Sequence, residues 1–89
     1  MVQAGAVIEY IEGGRFYCAL VTEAAGKRLR LINHNGREVT LPEGRVLLAS
    51  TSRFPVDMDR SDMKELLRRC HENRTRLQEE IDLEEIWEL

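Results

Sequence analysis

Between Lys27 and Ala49 three short apolar runs follow one another with almost nothing to join them. Leu29 and Leu31 alternate with Arg28 and Arg30, the period-2 pattern of a strand with one buried face. Val39 and Leu41 alternate with Glu38 and Thr40 in the same way. Asn35-Gly36 lies between these runs. Both central residues of a type I′ turn need φ > 0, which Asn and Gly tolerate best, so a tight two-residue hairpin is expected. The third run, Val46 to Ala49, follows Pro42-Glu43-Gly44, a link long enough for one helical turn. No catalytic motif stands inside this stretch.

Two more strands precede it. Gly5 to Ile11 is almost continuously apolar, so its facing is ambiguous. Glu12-Gly13-Gly14-Arg15 is a turn, and Phe16 to Glu23 is rich in aromatic and β-branched types. Ala24-Ala25-Gly26 then turns the chain into Lys27. Five short strands in about fifty residues are too few for a two-layer sandwich, but they can curl into a small barrel that hides its edges. The expected class is α+β, mainly β: a five-stranded SH3-like barrel over 1–53, with a Greek-key OB barrel as second choice.

Residues 54–89 form a helical extension. Ser50 to Pro55 is a polar exit, and Asp59 or Ser61 can cap a helix. Met63, Leu66, Leu67 and Cys70 fall at i, i+3, i+4 and i+7, one helical face, and Leu77 and Ile81 continue it. The spacing predicts one long helix over about 61–80. Asp82 with Glu85 resembles a capping box, so the start of a second helix is expected from about 83. That segment carries Trp87, a large apolar surface with little chain left to pack on it, and reads as a piece that docks elsewhere. Met63, Leu66, Leu67 and Trp87 are the candidate interface residues. For the first three, packing within the core is the main reading and partner binding the alternative.

Charge divides the chain. Residues 1–53 hold seven Lys or Arg against five acids, and residues 54–89 hold six against eleven. The first part is +2 and the second −5, within a net charge of −3. Cys18 and Cys70 stand far apart with no C-x-x-C, so two intracellular thiols are expected. The first residues lack the basic and apolar regions of a signal peptide. No run approaches the roughly 20 apolar residues of a membrane span. Cytoplasm is the expected location.

Most motifs with chemistry fail on inspection. His71-Glu72 begins like H-E-x-x-H, but Thr75 stands where the second zinc ligand belongs. His71 is read as solvated and His34 as lacking a partner. Asp57, Asp59 and Asp62 suit the first turn of a helix better than a metal site. No catalytic set and no metal site are assigned. Lys27, Arg28, Arg30, Arg37 and Arg45 lie on or beside the central hairpin. If Leu29 and Leu31 face inward, Arg28 and Arg30 share an outer face that can contact phosphates. These five are the candidate RNA-binding residues. The competing reading is an ordinary charged surface offset by Glu38 and Glu43.

The order Val7-Ile8-Glu9-Tyr10, Lys27-Arg28-Leu29-Arg30-Leu31, Asn35-Gly36-Arg37-Glu38-Val39, Leu41-Pro42 and Arg45-Val46, closing on Ile81 to Leu89, resembles the N-terminal region of ribonuclease II-type (RNB family) exoribonucleases. In that family a small SH3-like β domain and helical segments precede a large catalytic domain. The resemblance implies an accessory module of a 3′–5′ exoribonuclease that guides RNA or packs on the catalytic remainder of its own chain. It implies magnesium for the parent enzyme, held by aspartates of the catalytic domain, none of which has a counterpart here. The alternative is a free-standing SH3-like module that binds a protein.

Overall fold

A computed structural model describes residues 1–73. The elements are β1 (Val7–Glu12), β2 (Arg15–Ala25), β3 (Arg28–Asn33), β4 (Glu38–Pro42), a single 3-10 turn (Glu43–Arg45), β5 (Val46–Ala49) and α1 (Arg60–Glu72). The strands form one antiparallel sheet in the order β4-β3-β2-β1-β5. This is the expected small α+β, mainly β, barrel-like fold, with the 3-10 turn carrying the chain from one end of the sheet to the other.

The long strand β2 makes the curl possible. It pairs with β1 from Arg15 to Leu20 and with β3 from Ala19 to Ala25. A register shift between Val21 and Glu23 marks a bulge, the device by which a strand bends sharply. Ala6, Ile8, Tyr10, Ala19, Val21, Leu29, Leu31 and Leu41 fill the concave side. Val7, Cys18, Leu20 and Ile32 point the other way and are covered by Met63, Leu67 and Cys70 of α1. The ambiguous facing of the first strand is thereby resolved. It is apolar on both sides because one side meets the barrel core and the other meets the helix.

The exit segment is strapped to the chain's start. Gly5 donates its N–H to the Val21 carbonyl at 2.8 Å, and its own carbonyl accepts from Phe54 N–H at 2.8 Å. Its φ is +94°, and a Cβ there would come within 2.9 Å of the Phe54 carbonyl oxygen, so only glycine fits. Asp59 caps α1, its carboxylate accepting from Ser61 N–H at 3.0 Å.

Two expectations need correction. The hairpin does not close on a two-residue turn: its last ladder pair is Ile32 with Glu38, leaving residues 33–37 as the loop. Gly36 takes φ 82° and donates to the Asn33 carbonyl at 2.8 Å. Asn33 also accepts on its side-chain oxygen from Asn35 N–H at 3.0 Å and Arg37 N–H at 3.1 Å. An Asn that satisfies the loop's own donors favours the longer turn over the tighter one. The second concerns the alternative, partner-binding reading of the helix face. Met63 and Leu67 are buried against the sheet and Leu66 is half-buried beside them, so this face is consumed within the chain. The helix begins at Arg60, and Asn73 follows its last turn. The expected continuation to about 80, the second helix from about 83 and Trp87 lie outside the described residues.

Candidate nucleic-acid interface and an imidazole cleft

The sheet register sorts the five candidate cations into two places. Lys27 ends the β2–β3 turn and Arg28 opens β3 opposite Ala25 and Pro42. Both are exposed, and none of the ion pairs among the described residues involves either. Arg30 follows on the same outer face, 3.5 Å from Glu23. Its side chain is 73% exposed, so this pair holds it loosely. These three form one basic edge, as alternation requires. Arg37 and Arg45 lie elsewhere, at the far end of β1. Arg37 meets Glu12 at 3.4 Å, and Arg45 donates to the Ile11 carbonyl at 2.7 Å. The predicted five therefore do not make one patch.

An open groove of about 530 Å³ runs beside Lys27, lined by Val2, Ala4, Ala24 and Glu43 among others. Glu43 holds it together at both ends. Its carboxylate accepts from Val2 N–H at 2.8 Å, and its N–H donates to the Lys27 carbonyl at 2.8 Å.

Beside the loop that follows β3 four rings line up, one each from β1, β2, that loop and the helix. Tyr10 and Tyr17 stack at 5.2 Å, Tyr17 and His34 meet tilted at 5.5 Å, and His34 and His71 stack at 3.9 Å with their planes 13° apart. The row begins in the barrel core, where the Asn33 side-chain amide donates to the Tyr10 hydroxyl at 3.2 Å. Burial raises the Tyr10 pKa, against that hydrogen bond, so the phenol stays neutral. His34 is locked to β2 by two bonds with one residue. Its N–H donates to the Cys18 carbonyl at 2.8 Å, and its Nδ1 accepts from Cys18 N–H at 3.3 Å. Burial lowers the His34 pKa, as does the neighbouring His71, against a smaller upward pull from the Cys18 backbone. Arg15, Phe16, Tyr17, His34, Asn35 and His71 border a cleft of about 410 Å³ here.

The pairing of the two histidines corrects the sequence reading of both. His71 is not simply solvated, and His34 has a partner. A signal for His71 was present: it stands four residues after Leu67 and next to Cys70, on the edge of the buried stripe. Nothing in the sequence brings His34 to it, because the contact depends on where the helix crosses the sheet. Cys18 and Cys70 are both buried in the outer-face cluster and are not joined in a disulfide. Among the described residues no group of three or more His, Cys, Asp or Glu side chains is placed to hold a metal ion. No family model matches this sequence, and no curated protein or solved structure matches it.

Proposed function

We propose that this chain is an RNA-contacting accessory module, the N-terminal part of a 3′–5′ exoribonuclease that works in the cytoplasm. Its parent's magnesium and catalytic carboxylates belong to the remainder of the protein. The observation that carries the RNA contact is the Lys27–Arg28–Arg30 edge. Among the described residues no carboxylate is ion-paired with the exposed Lys27 or Arg28, and Arg30 is only loosely paired. Unpaired cations on a rigid strand suit a phosphate backbone, because no ion pair must break before contact. Arg37 and Arg45 already serve the end of β1 and contribute less. The reading of the parent enzyme rests on the resemblance alone. No helix among the described residues is long and apolar enough to cross a membrane.

The test has two parts. The reading frame beyond Leu89 should encode an RNB-type catalytic region. In the longest protein that frame encodes, affinity for single-stranded RNA should be measured against salt, with and without Lys27→Gln plus Arg28→Gln. Each lost phosphate contact on a single strand should flatten the log–log slope by about 0.7. The loss should be similar for all RNA sequences. Unchanged affinity and slope would remove RNA contact from this edge. The second reading, a free-standing protein-binding module, is favoured by the groove beside Val2 and Ala4. It predicts capture of a protein with no affinity for RNA.

A further inference from the structure

We propose that the stacked His34–His71 pair is an acid-opened latch, which holds the C-terminal turn of α1 on the barrel at neutral pH and releases it on protonation. The pair joins two elements that are far apart in sequence, the β3–β4 loop and the last turn of α1. Its rings lie face to face at 3.9 Å, close enough that charge on one ring is felt directly by the other. His34 Nδ1 accepts from Cys18 N–H, which fixes this ring against β2 and under His71.

The surroundings supply no compensation for a second charge. From β2 the ring faces Tyr17 and the Cys18 backbone, with Arg15 on the cleft wall. From β1, Tyr10 stands behind Tyr17. On α1, Glu72 follows His71 but is engaged by Arg68, which also holds Glu65. In the loop, Arg37 is turned to Glu12. Among the described residues no carboxylate is ion-paired with either imidazole. His71 Nδ1 is itself buried with no hydrogen-bond partner, a weak point at which a proton would demand one.

The direction follows from linkage. The His34 pKa is lowered in the folded chain, so the open form takes the proton more readily. The latch is fully closed above the ordinary imidazole pKa of about 6.5 and weakens as pH falls below it. At pH 5.5 one such group can favour the open form by at most about tenfold. Opening uncovers the cleft and loosens Cys70 while Met63, nearer the helix start, stays docked. The device does not depend on RNA binding, and its test contains no RNA.

Amide hydrogen exchange of the whole chain, corrected for the intrinsic pH dependence of exchange, should be compared at pH 7.5 and 5.5. Protection over residues 67–72 should fall several-fold on acidification, and protection over 61–65 should change less. His34→Phe keeps a stacking ring and removes the one whose pKa is lowered, so its protection should vary less with pH. Equal protection at both pH values, or the same loss in His34→Phe, overturns the proposal. Should that variant fail to fold, ring-carbon NMR titration of the unaltered chain decides. Linked titration of the two rings with His34 below its ordinary pKa supports the latch, and independent titration at ordinary values overturns it.

Discussion

Asn33 stands where β3 ends and answers three groups at once. Its amide nitrogen donates to the Tyr10 hydroxyl inside the barrel, and its oxygen takes the N–H groups of Asn35 and Arg37. Asn33 is 1% exposed and lies with Tyr10 inside the barrel, whereas Asn35 and Arg37 are exposed residues. Asn33→Ala should therefore cost about 2 kcal/mol, since the buried Tyr10 hydroxyl loses its donor and two loop N–H groups lose their acceptor. Tyr10→Phe removes only one partner of one bond and should cost about 1 kcal/mol. Urea denaturation of both variants checks the order, and equal losses would mean that the loop donors find other acceptors. Of this network the sequence shows only its ends: an Asn near a turn, and a Tyr in an apolar strand. Their bond spans the sheet and depends on β1 and β3 both flanking β2, which no local pattern states.

At the scale of elements, α1 was legible in its spacing and capping, and packing on the chain's own core was the favoured reading of its apolar face. Met63, Leu67 and Cys70 give the period of a helix whether they meet a partner or the chain's own sheet. The discriminating signal lay in the strands instead. Val7 beside Ile8, and Cys18 and Leu20 among Ala19 and Val21, make two strands apolar on both faces, and a second apolar face needs a cover. The basic edge was legible for the same reason that Arg28 and Arg30 alternate with core leucines. Arg37 and Arg45 were misgrouped with it because nearness in sequence says little across a turn. Leu67 is fully buried under the helix, so Leu67→Ala should cost about 2–5 kcal/mol, the range for a large-to-small change in a packed core. Leu66→Ala, at a half-buried neighbour, should cost clearly less. Thermal unfolding of the two variants measures the difference, and similar losses would show that α1 is seated differently.

Taken whole, the molecule is a curled sheet with two apolar sides, and neither side is sufficient alone. The concave side is closed by the sheet's own curvature, while the convex side is closed by α1. A chain of about 60 residues buries only about 60% of its unfolded surface, so it is marginal and can ill spare such a cover. A chain ending at Val56 would keep every strand, and would keep the bond from Phe54 to Gly5. It would lose Met63, Leu67 and Cys70, and with them the cover over Val7, Cys18, Leu20 and Ile32. Exposed apolar residues that adjoin on a sheet invite association or unfolding. The shortened chain should therefore be either poorly folded or self-associated, and α1 supplied as a separate peptide should restore a folded, monodisperse complex. Light scattering after gel filtration and near-ultraviolet circular dichroism measure the two properties. A monomer of 1–56 with the same melting temperature as 1–89 would show that the barrel stands alone and that the helix is an appendage.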